Sequence, residues 1–162
     1  MKRLLIIPLL FLSLTLGATK IYIDDDGNDG TGDGTSSSPY LTLAYACTQA
    51  SSGDTIYVNE GSYTINTQVI PSVQISIYST DSPTFVAGDA LNPMIYFYSA
   101  TEGTDGNQII EGINFDGDDT GVVGVQVRAR SNVTIRNCSF IDFTDNAVKF
   151  SGRVSGDGAP TT

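Results

Sequence analysis

The chain has 162 residues, with eighteen acidic and eight basic side chains, no histidine, no tryptophan and a formal net charge of −10. That balance argues against nucleic acid and anionic membrane surfaces as partners, and the missing histidine removes the usual imidazole base and zinc ligand. The length suits one domain with a real core, and the acidic surface suits solubility or divalent cations.

The chain opens with Met1-Lys2-Arg3 and the apolar run Leu4 to Leu16. A short positive segment before an apolar run of that length reads as a signal peptide over residues 1–18, cut after Gly17 or Ala18, and an uncleaved anchor is the competing reading. The expected location is therefore secreted, periplasmic or cell-surface, with no membrane span after cleavage. The segment Asp24-Asp25-Asp26-Gly27-Asn28 follows a first strand and is the densest group of oxygen ligands. Asp24, Asp26 and Asn28 have the alternate spacing of a Ca²⁺ loop, which makes Ca²⁺ the expected cofactor if there is one. The glycine comes one position late and no glutamate follows at the twelfth position, so a polar turn competes.

A helix is expected over Tyr40 to Ala50, after Ser38-Pro39, with Leu41, Leu43, Ala44, Ala46, Cys47 and Ala50 on one face. Residues 19–54 thus form an opening strand, a turn and a helix. From residue 55 to 152 the text is strand-rich, with Ile56 and Val58, then Val73, Ile75 and Ile77, then Ile95 and Phe97, then Val123, Val125 and Val127 pointing one way. Residues 153–162 are small and polar and read as a flexible or truncated tail. The two cysteines, Cys47 and Cys138, fall in a helix and a distant strand, too far apart for a disulfide.

Self-similarity is the stronger signal. Gln108 to Phe115 matches Val133 to Phe140 at an offset of 25 residues, and Val125-Gln126-Val127 echoes Val148-Lys149-Phe150 at 23. A repeat of that length is the mark of a solenoid, in which Ile110 lies over Ile135, Phe115 over Phe140 and Glu111 over Arg136. A β-sandwich with chance similarity is the alternative.

The stretch Gly34-Thr35 to Pro39-Tyr40-Leu41-Thr42-Leu43-Ala44, then Gly53-Asp54-Thr55-Ile56-Tyr57-Val58 and Gly61-Ser62-Tyr63, resembles the N-terminal part of pectate-lyase-like β-helix proteins, as Asn132 to Phe140 resembles their repeat. The resemblance implies an all-β right-handed parallel β-helix with an N-terminal capping helix. It also implies a protein that binds or cleaves acidic polysaccharides, as a lyase or, second, a glycoside hydrolase. Members without catalysis make an adhesin-like surface solenoid the alternative.

A lyase must neutralise a uronate and remove the neighbouring proton, which calls for cations and a Lys or Arg base. If the 23-residue echo holds, Lys149 and Arg128 are the catalytic candidates, with Gln126, Tyr96 and Tyr98 for substrate and Asp116, Asp118 and Asp119 on nearby turns. Asp142 and Asp145 are the glycosidase candidates, though Asp in such positions commonly just forms turns. Solvated outward cations and face-filling tyrosines are the bland alternatives. The expected partner is a polysaccharide or cell-surface glycan.

Overall fold

The computed structural model describes residues 18–101 and 103–152; the expected signal segment up to residue 17 and the tail 153–162 lie outside them. The described chain is mostly β, with one helix. In chain order the elements are β1 (Lys20–Ile23), α1 (Leu43–Gln49), β2 (Thr55–Val58), β3 (Ser62–Ile65), β4 (Ser76–Tyr78), β5 (Thr84–Ala87), β6 (Ile95–Tyr98), β7 (Thr104–Glu111), β8 (Asn114–Asp116), β9 (Val123–Arg128), β10 (Arg130–Arg136), β11 (Ser139–Ile141) and β12 (Asn146–Ser151).

The strands form three sheets: a first of order β1-β2-β4-β7-β10, a second of order β11-β8-β5-β3 and a third of order β12-β9-β6. Every strand pair within them is parallel. From β4 onward successive strands fall in the first, second and third sheet in turn.

Alternation along each short strand sends every second side chain to the core, so register decides what stacks on what. In the first sheet the inner column is Ile21, Ile56, Ile77, Ile110 and Ile135. In the second it is Tyr63, Phe85, Phe115 and Phe140, with successive ring centroids 5.7, 5.7 and 4.8 Å apart. The third contributes Ile95, Val125 and Val148, and beside them Phe97, Val127 and Phe150. Most of these residues are fully buried in one continuous cluster, each contributing about 1.5–3 kcal/mol by leaving water. Both repeat offsets read from the sequence appear as strand pairings, 25 residues in the first and second sheets and 23 in the third.

The helix is shorter than the apolar pattern suggests. Tyr40 is extended and bridges Ile23, and the helix begins only after Thr42, whose hydroxyl caps it by accepting from Tyr45 N. Asp29 accepts hydrogen bonds from Leu41 N, Thr42 N and Thr42 Oγ1; this anchored turn, and not Ser38-Pro39, sets the start. Leu43, Ala46 and Cys47 are buried, whereas Leu41 and Ala44 are exposed. The helix packs against β1 and β2. Nearby, the outer edge of β1 is satisfied by Tyr22 N donating to Gly34 O and Tyr40 N donating to Tyr22 O, so this end of the first sheet presents no free ladder. Both cysteines are free thiols.

Candidate functional site

The outer face of the third sheet gathers five of the residues singled out in the sequence. Ile95 and Phe97 are buried, which turns Tyr96 and Tyr98 outward; Val125 and Val127 are buried, which turns Gln126 and Arg128 outward. Register then lays Tyr96, Gln126 and Lys149 in one row and Tyr98, Arg128 and Ser151 in the next. The Tyr96 and Tyr98 ring centroids are 5.4 Å apart, and the Arg128 guanidinium lies 6.0 Å from the Tyr98 ring centroid, within cation–π range. Gln126 Nε2 donates to Ser151 Oγ at 3.3 Å.

A further cation stands at the rim. Ala129 takes a left-handed conformation at φ 57° and turns the chain from β9 into β10, which begins at Arg130. The Arg130 Nε donates to Tyr98 O at 3.0 Å and Nη1 to the Oε1 of the fully buried Gln108 at 2.5 Å. Burial draws its pKa down from the ordinary arginine value. Gln108 in turn donates to Ile75 O, so Arg130 straps the first sheet to the backbone of β6. Strand alternation did not single out Arg130, because the corner at Ala129 interrupts the pattern; its signal is the Arg-Ala-Arg spacing alone.

Among the described residues the ion pair is Arg136 with Glu111, at 2.7 Å. Arg128, Arg130 and Lys149 therefore have no described carboxylate within 4.0 Å. Cations without a described carboxylate partner on and at the rim of the face that carries Tyr96 and Tyr98, on a protein of net charge −10, make a surface suited to an anionic ligand carrying apolar faces.

The carboxylates are elsewhere. Asp116 closes β8 in the second sheet, and its Oδ1 accepts from Asp118 N. Asp118, Asp119 and Asp142 have positive φ, and Asp119 N donates to Asp142 O, so these aspartates and Asp145 shape the turns between the second and third sheets. Tyr57 and Tyr78 lie in the first sheet beside Tyr22. There the Tyr57 hydroxyl bonds Thr80 and Asp81, and Lys20 sits 5.1 Å above its ring.

At the other end, Asp24, Asp25 and Asp26 each place a carboxylate oxygen within 4.8 Å of the others and could hold a metal ion. Asn28 is committed differently: its Oδ1 accepts from Gly30 N and Thr31 N within its own turn. The Asp24 oxygens accept from Asp26 N and Asn59 Nδ2, and Asp25 Oδ2 from Ser62 N. Asp25 was outside the alternate spacing read from the sequence because a turn, unlike a strand, brings consecutive residues together. Among the described residues no helix is long and apolar enough to cross a membrane.

Comparison of the chain with protein-family models, with curated proteins and with solved structures finds no match.

Proposed function

We propose that the chain is a right-handed parallel β-helix capped by α1, exported from the cell, that binds acidic polysaccharide on the outer face of its third sheet. The observation that carries the reading is the placing of Arg128 and Lys149, neither with a described carboxylate partner, on the sheet face that carries Tyr96 and Tyr98. A uronate or sulfated sugar offers an anion for each cation and a C–H face for each ring. The fold part of the reading is supported by strands that, from β4 onward, visit three parallel sheets in rotation, with offsets of 23 and 25 residues between β7–β9 and β10–β12.

Elimination chemistry is the enzymatic form of the same proposal, with Lys149 or Arg128 taking the proton next to the uronate carboxylate. A second reading, a non-catalytic surface solenoid, is favoured by one observation: Asp116, Asp118 and Asp119 belong to turns of the second sheet and not to the cationic face. A cation bridge between those carboxylates and a sugar on the third sheet therefore lacks its protein half.

The test is a binding titration with polygalacturonate, alginate, chondroitin sulfate and a neutral glucan, with and without Ca²⁺, while following the absorbance of unsaturated products. Binding to the acidic polymers alone, weakened about tenfold or more by Arg128→Ala or Lys149→Ala, supports the proposal, since a charge-assisted contact is worth roughly 1.5–3 kcal/mol. Unsaturated product would make it a lyase. A folded sample that ignores every acidic polymer leaves the structural solenoid.

A further inference from the structure

Where α1 packs, two of the three sheets are closed by the chain's own backbone. Gly34 and Tyr40 hold the edge of β1, and Val69 bridges Ile95 at the edge of β6. β3, which lies within the chain after β1, α1 and β2, is the outermost strand of the second sheet and has no such neighbour among the described residues. Thr84 N donates to Gly61 O and Gly88 N to Ile65 O. The odd-numbered residues of this run therefore turn their backbone groups to β5, and Ser62 and Thr64 turn theirs away. That edge opens into a groove of about 360 Å³, within the roughly 300–1,000 Å³ of ligand sites. Leu41, Leu43, Ala44 and Val69 line it beside β3, and Leu41 is left 39% exposed. Asp25 stands at the Ser62 end, where its Oδ2 accepts from Ser62 N at 3.3 Å and the carboxylates of Asp24 and Asp26 lie within 4.8 Å. Among the described residues no Lys or Arg comes within 4.0 Å of these three.

We propose that this groove takes an extended segment of a partner protein, added to β3 as a further strand, with alternate apolar side chains and a Lys or Arg at the Ser62 end. The free N–H and C=O of Thr64 complement another backbone, and such pairing leaves selectivity to the side chains. Tyr63 and Ile65 are buried, so the residues in register with them on an added strand point to the same side and meet the apolar lining. A cation at the Ser62 end meets three carboxylates that lack one, a charge-assisted contact. A second copy is the poorer occupant, because each chain carries a net charge of −10 and two copies repel. The groove lies on the second sheet, apart from the third-sheet face that carries Tyr96 and Arg128.

Fluorescence anisotropy on the full chain tests it with two blocked, labelled peptides, Lys-Thr-Val-Thr-Val-Thr and its reverse, and with copies in which Glu replaces Lys. A Lys peptide is expected to bind at least about tenfold more tightly than its Glu copy. Asp25→Asn, which keeps an oxygen for Ser62 N, should shrink that preference several-fold. In the unmodified chain, exchange of the Thr64 amide should slow when the Lys peptide is added, a readout that needs no variant to fold. Excess polygalacturonate should leave the peptide bound. Absence of binding up to about 1 mM peptide, equal binding of Lys and Glu copies, displacement by polygalacturonate, or protection outside β3 would each overturn the proposal. So would a Thr64 amide protected before any peptide is added, as a second copy or the chain's own residues 1–17 in the groove would cause.

Discussion

Asp54 is buried between β1 and the turn after α1, where its carboxylate accepts from Thr19 N at 2.8 Å, Thr19 Oγ1 at 3.0 Å and Ser51 N at 2.8 Å. Burial pushes its pKa up, but those three donors outweigh it and hold the group below the usual carboxylate value. A depressed folded-state pKa contributes stability above the unfolded value of about 3.9 and loses it as pH falls through the folded value. Asp54→Asn should therefore cost about 1–3 kcal/mol at pH 7 and flatten the loss of stability below about pH 4; urea melts at stepped pH would show both. The thiols differ in the same terms: burial pushes Cys47 up to about 12, whereas Cys138, also raised by burial, is only partly buried. A thiol reagent at pH 8 should label Cys138 first and reach Cys47 only on unfolding.

At the scale of elements, the turn holding α1 and the aromatic column of the second sheet make different demands. Thr42 both caps α1 and donates to Asp29, so Thr42→Ala should cost about 1 kcal/mol in thermal or urea unfolding. Phe115 meets Phe85 edge to face and stacks on Phe140, with no exposure, so Phe115→Ala should cost roughly 3–5 kcal/mol through the cavity it leaves. Gly112 sits at φ +73° with the Ser79 carbonyl against the place of a side chain. Its counterpart 25 residues on, Asn137, keeps a positive φ of 52° and reaches Glu111 through Nδ2. One corner geometry thus recurs in successive turns, with glycine used where backbone approaches closely and asparagine where a side chain has room.

For the molecule as a whole, charge opposes two properties. Net charge of −10 makes the compact state repel itself, and salt relieves that repulsion, while salt also screens the Arg128 and Lys149 face from a polyanion. Raising NaCl from about 10 mM to 150 mM, which shortens the screening length from roughly 30 to 8 Å, should raise the melting temperature and lower acidic-glycan affinity. Parallel changes in the two would count against a cationic binding face.

Much of this was legible in the residues. Alternating apolar residues and the offsets of 25 and 23 specify parallel neighbours, because a one-residue slip would turn Ile110 or Phe115 to solvent. The 23-residue offset also places Gln126 beside Lys149, whereas the 30-residue step that sets Tyr96 beside Gln126 and Tyr98 beside Arg128 is recorded in neither repeat. The late start of α1, the gathering of Asp25 with Asp24 and Asp26, and the strap from Arg130 to Gln108 and Tyr98 belong to tertiary structure alone. Each depends on a corner or turn, where direction follows backbone dihedrals and distant partners and no periodicity in the chain records it.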